Sequence, residues 1–238
     1  MAEKVKAFIY GDSIMRGTVV DESLRYHSIV GGILARLAAM FGIEFKNRAH
    51  FGLTIEKGKR LLEKDMARGL KGDYAVVEYG GNDCSYNWDA VAADPTIDHR
   101  PFTEPERFQA VCVEMVEHLR EEAVTPVLVT LPPLDAERHL HFIGKNEQGR
   151  QNILQWLGDV HMIYRFHEMY SRIVEKVAKQ TNSILVDVRS RFLDKHNLRE
   201  LLGLDGIHLS PAGYGLYQQV FADFIVARRR DPSRLVFE

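Results

Sequence analysis

The chain has 238 residues, 45% of them hydrophobic and 27% charged, with 31 Lys+Arg against 33 Asp+Glu and a net charge of −2. A chain of this length buries about 70% of its unfolded surface and needs no disulfide or structural metal to hold a core. The composition excludes a disordered, collagenous or disulfide-scaffold protein, and the balanced charge leaves no footprint for nucleic acid or an anionic membrane surface.

The amino terminus runs through Glu3, Lys4, Val5 and Lys6 into the apolar stretch Ala7 to Tyr10, which is too short for a secretory leader. No run approaches the length of a membrane span, so a cytoplasmic protein is expected. Cys84 and Cys112 have no CxxC spacing, which argues against a disulfide framework or a cysteine zinc site. Five β-rich runs follow one another as strand candidates: Val5–Tyr10, Glu44–Ala49, Tyr74–Tyr79, Pro126–Leu131 and Ser183–Val188. Several are nearly continuous apolar runs, as parallel strands covered on both faces require.

Helical periods lie between them. Val30, Ile33, Leu34, Leu37 and Phe41 share a face, and Gly42 is placed to end that helix. Phe108, Val111, Cys112, Met115 and Leu119 repeat the pattern behind a capping box of Thr103 and Glu106. Ser210-Pro211 opens the last helix, with Tyr214, Tyr217, Val220, Phe221, Phe224 and Ile225 as its buried face.

Alternating strands and helices predict one parallel sheet with helices on both faces, in a single domain over residues 1–238. Two connections are long for plain crossovers, about 84–102 and 134–165, and both leave a strand at its carboxyl end, where such sheets bind ligands. They carry Tyr86, Trp88, Phe102, Trp156 and Tyr164 as candidate substrate-binding aromatics. Polar side chains such as Asn87, Asp89, Arg138, Lys145 and Asn146 lie among them. That mixture of aromatic faces and hydrogen-bonding groups suits a hydroxylated ring better than a bare alkyl tail.

Four short blocks carry the chemistry. Gly11-Asp12-Ser13 follows the first strand, Gly52 the second, and Gly80-Gly81-Asn82-Asp83 the third. Asp205-Gly206-Ile207-His208 precedes the last helix. Each alone reads as an ordinary turn or cap. Together they come from different strands of one sheet, so its carboxyl edge gathers them. With strand order 2-1-3-4-5 the switch point falls between Ser13 and Asn82. A nucleophile, a base, an acid that orients it and oxyanion donors then converge, as acyl transfer requires.

These blocks resemble those of the SGNH/GDSL hydrolase superfamily over roughly residues 5 to 228. The resemblance implies a three-layer α/β/α, flavodoxin-like fold with a five-stranded parallel sheet, and a serine ester hydrolase without metal or organic cofactor. It makes Ser13 the nucleophile, His208 the base and Asp205 its partner, with Ser13, Gly52 and Asn82 as oxyanion donors. Asp12 and Asp83 are expected to organise turns. The partner is then a small-molecule ester, and the oligomeric state stays open. A lysophospholipase or lipase-type acylhydrolase is the alternative, and a non-catalytic ligand-binding module on the same fold is a third reading. His139, His141, His161 and His167 fit no standard zinc spacing.

Overall fold

A computed structural model describes residues 4–29 and 32–237. In chain order its elements begin with β1 (Lys6–Gly11), α1 (Ser13–Arg16), β2 (Thr18–Val20), β3 (Tyr26–Ser28), α2 (Ile33–Phe41) and β4 (Glu44–Asn47). Then come α3 (Ile55–Met66), β5 (Tyr74–Glu78), α4 (Trp88–Ala93), α5 (Pro105–Glu121) and β6 (Thr125–Val129). The carboxyl half adds α6 (Ala136–Ile143), α7 (Glu147–Leu157), α8 (Met162–Gln180), β7 (Ile184–Val186), α9 (Val188–Leu193), α10 (Pro211–Arg230) and β8 (Val236–Phe237).

The main sheet has the order β4-β1-β5-β6-β7-β8 and every pairing in it is parallel. Its side chains alternate between two helical layers with the strand period of two. Phe8, Tyr10, Ala75, Val77 and Leu128 pack with residues of α3, α5 and α8 such as Leu62, Met115 and Val174. Ile9, Val76, Val127 and Val186 point the other way, against Leu37, Phe192, Tyr217 and Phe221 of α2, α9 and α10. This is a three-layer α/β/α fold. The first five strands have the expected order, and β8 extends the sheet by one edge strand that two residues could not announce in sequence. A second, two-stranded antiparallel sheet of β2 and β3 was also not anticipated.

Helix signals met the structure unevenly. Ser210 caps α10 by accepting the Gly213 N–H, and Tyr214, Tyr217, Val220, Phe221 and Phe224 form its buried face. Ile33 and Leu37 are the buried residues of α2, while Val30, assigned to the same face, lies outside the described residues. Thr103 does not make a capping box. Pro105 opens α5 after Glu104, and the Thr103 hydroxyl instead donates to buried Asp83 at 2.6 Å. A buried carboxylate needs donors more than an exposed helix end does, because water serves the latter.

The two long connections are helical. They supply α4, α6, α7 and the start of α8, joined by a third apolar cluster around Tyr86, Val91, Leu134, Ile153, Leu157 and Ile163. That cluster stands over the carboxyl ends of β5 and β6. It gives the sheet edge one wall.

Candidate active site

β1 delivers its last residue, Gly11, directly to Asp12, whose carboxylate accepts the Ile14 N–H at 2.9 Å and so caps α1. Ser13 is the first residue of that turn and is buried. From the far end of the chain, His208 brings Nε2 to 2.8 Å from Ser13 Oγ. On the other edge of the ring, His208 Nδ1 lies 2.5 Å from Asp205 Oδ2. Asp205 is fully buried. The backbone N–H groups of Ile207 and His208 donate to its second oxygen at 3.2 and 3.1 Å. Burial alone would raise the Asp205 carboxyl, but the bonds and charge of His208 and those two N–H groups hold it below the ordinary carboxylate range.

The turn from Gly203 to Ser210 is held from both sides. Gly203 N–H donates to His208 O at 2.7 Å, and Leu202 and Leu209 form an isolated bridge. Gly206 has φ +77°, and a Cβ there would lie 2.7 Å from both Asp135 O and His139 N. Only glycine lets this turn press so closely on α6. Arg138 of α6 then donates to the carbonyls of Arg199, Leu202 and Gly203 at 2.9, 3.2 and 3.1 Å. The second long connection is thus a clamp on the His208 turn as well as a wall.

Asn82 lines the same cavity as His208. Its amide nitrogen donates to Asp12 Oδ2 at 3.1 Å and to Leu53 O at 3.0 Å. Gly52 sits beside Leu53 with φ +71°, a left-handed conformation that glycine adopts without strain. Asp83 accepts the Ile55 N–H and the Thr103 hydroxyl, tying α3 and the start of α5 to the turn, the organising role expected of it.

Ser13, Asn82 and His208 line one cavity of about 130 Å³. Asp12 and Glu78 are the carboxyls among its described lining residues. Burial pushes Asp12 up to about 6 and raises Glu78 well above the usual range with help from the nearby Asp12 charge, and it pushes Asp83, outside that lining, up to about 7.

The sequence profile of the GDSL-like lipase/acylhydrolase family matches residues 9–216. The chain belongs to that family. It is a serine esterase or acylhydrolase of the SGNH type. No curated protein matches it in sequence. Among solved structures it is similar to a lipase/acylhydrolase from Enterococcus faecalis, at TM-score 0.65 and 21% identity, over 94% of this chain and 96% of that one. It is also similar to a catalytic mutant of Axe2, an acetylxylan esterase from Geobacillus stearothermophilus, at TM-score 0.64 and 21% identity, over 93% and 94% of the two chains. A third is LAE5, an alpha/beta hydrolase enzyme from the metagenome of Lake Arreo, at TM-score 0.63 and 21% identity, over 93% and 94%.

Of the five candidate aromatics in this GDSL hydrolase, only Trp88 lines the Ser13 cavity. Tyr86 and Trp156 pack against each other at 4.9 Å within the wall. Tyr164 lies against the Arg189 guanidinium, and Phe102 is 60% exposed. The polar side chains of the long connections are also mostly spent elsewhere. Asn87 and Asn146 cap helices, Lys145 pairs with Asp89 on the surface, and Arg138 holds the His208 turn.

Other residues took their place. Phe51 stacks on the His208 ring at 5.8 Å, and Tyr26 lies 5.0 Å from it. His139 and His167, which the sequence raised only as poor metal ligands, both line the cavity. Cys84 lines it as well, its thiol pushed up by burial and therefore kept protonated. Among the described residues no helix is long and apolar enough to cross a membrane.

Proposed function

We propose that this hydrolase cleaves short acyl esters, acetyl first, of a polar alcohol through an acyl-enzyme on Ser13. The hydrogen-bonded chain from Ser13 Oγ to His208 Nε2 and from His208 Nδ1 to Asp205 carries the reading. As Ser13 Oγ bonds to the ester carbonyl carbon, its proton passes to His208 Nε2. Asp205 fixes the ring tautomer and stabilises the imidazolium that forms. The oxyanion takes hydrogen bonds from the backbone N–H groups of Ser13 and Gly52 and from the Asn82 amide. His208 then gives its proton to the departing alcohol oxygen. Water repeats the sequence on the acyl-enzyme, releasing the acid and restoring Ser13.

The size of the cavity supports a short acyl group. An apolar cavity of about 150 Å³ holds one benzene ring, and the space beside Ser13 is about 130 Å³. That accommodates an acetyl group with part of its alcohol, not an enclosed long chain. A lipase-type reading needs an apolar trough running from the nucleophile. The larger apolar cavity, about 260 Å³ between the sheet and helices α2 and α10, shares no described lining residue with the Ser13 site.

A series of p-nitrophenyl esters from acetate to palmitate tests the assignment. Specificity constants that peak at acetate or propionate are expected. A steady rise to octanoate and beyond would overturn it in favour of the lipase-type reading.

A further inference from the structure

Two buried histidines face the Ser13 cavity with opposite hydrogen-bonding character. His139 Nδ1 lies 2.9 Å from the Asp205 carbonyl oxygen, which can only accept. His139 therefore carries its proton on Nδ1, and its Nε2 is a bare acceptor. His167 Nδ1 lies 3.4 Å from an Arg189 guanidinium nitrogen, which can only donate. His167 Nδ1 is therefore the acceptor, and its proton sits on Nε2. Nδ1 and Nε2 occupy opposite edges of an imidazole, so anchoring both Nδ1 atoms in the protein turns both Nε2 atoms the other way.

Among the described residues neither Nε2 has a hydrogen-bond partner in the protein, and both residues line the cavity. Burial keeps both rings neutral. His139 is lowered, and His167 is lowered to about 3 by burial and then by the Arg189 charge. The walls beside them are apolar, with Leu134, Ile163 and Phe166. Two neutral rings, one presenting a lone pair and one an N–H, complement a hydroxyl group, which both donates and accepts. Histidines kept only for packing have no need of opposite, enforced tautomers with their free edges open to a cavity.

The side of the site is fixed by the chemistry. His208 Nε2 must return its proton to the alcohol oxygen, so the alcohol lies on the His208 side of Ser13. His139 is bonded to the Asp205 carbonyl, immediately behind that pair. We propose that His139 and His167 are specificity residues that read a free hydroxyl close to the ester oxygen on the alcohol half, so that the substrates are mono-acyl esters of vicinal diols and polyols. This rests on the Ser13 esterase reading.

The test compares kcat/KM for 2-hydroxyethyl acetate and for propyl acetate, two esters of equal length that differ in the hydroxyl. Wild type is expected to prefer the hydroxylated ester about tenfold, the size of two ordinary neutral hydrogen bonds. His167→Leu and His139→Phe are each expected to cut the ratio to about threefold or less, and the double variant to bring it near one, whereas His167→Gln, which keeps an N–H donor, retains most of it. Each ratio is internal to one variant, so a general loss of activity divides out. A wild-type ratio within about twofold of one overturns the proposal whatever the variants do. So does a wild-type ratio persisting in either folded loss variant. If wild type hydrolyses neither these esters nor p-nitrophenyl acetate, the esterase reading itself has failed.

Discussion

The Tyr26 hydroxyl donates to Asp205 Oδ2 at 3.2 Å, sharing the oxygen that His208 Nδ1 meets at 2.5 Å. Tyr26 opens β3 of the small hairpin, so an element outside the main sheet reaches the residues that the sheet edge assembles. Burial and the Asp205 charge push the phenol up, which keeps it a neutral donor across the working pH range.

Tyr26→Phe removes that donor and leaves more of the carboxylate charge to act on His208. The acid limb of the kcat/KM profile is therefore expected to move to higher pH. A pH–rate profile of the variant checks this. An acid limb superimposable on wild type would reduce Tyr26 to packing.

Asn82→Ala is expected to lower kcat by about two to three orders of magnitude while KM moves much less, because an oxyanion donor acts on charge that develops in the transition state. Steady-state kinetics separate the two constants. A large KM change at constant kcat would instead make Asn82 a ground-state binding residue.

Asp83 gives a linkage prediction with a definite sign. Its folded value of about 7 lies above the unfolded carboxyl, chiefly because it is buried. Between roughly pH 4 and 7 the folded state therefore binds more protons than the unfolded state, and this group's contribution to stability falls as pH rises. Asp83→Asn cannot ionise, so its stability relative to wild type is expected to improve across that window by up to a few kcal/mol and then level off. Urea midpoints of both proteins at pH 5 and pH 8 measure it. Parallel pH dependences would rule out Asp83 as the group concerned.

Much of this arrangement was legible because its signals are local. Apolar runs such as Tyr74–Glu78 are covered on both faces, and each chemical block lies within a few residues of the end of a strand or the start of a helix. The hairpin was not legible, since Tyr26, His27 and Ser28 are exposed and carry no apolar period. Nor could the sequence say which aromatics face inward. Tyr86 and Trp156 meet each other across two helices, a relation that only the packing of α4 against α7 decides. His139 and His167 sit on separate helices, and their opposed tautomers depend on Asp205 and Arg189, which come from distant parts of the chain.

The intact mass of the protein, quenched in acid during turnover of p-nitrophenyl acetate, tests Ser13 as nucleophile most directly. Wild type is expected to gain one acetyl group, which peptide mapping finds on Ser13. Ser13→Ala is expected to gain none and to release p-nitrophenol no faster than buffer. A folded Ser13→Ala protein that releases p-nitrophenol at the wild-type rate, or an acetyl group carried on another residue during turnover, would contradict the account.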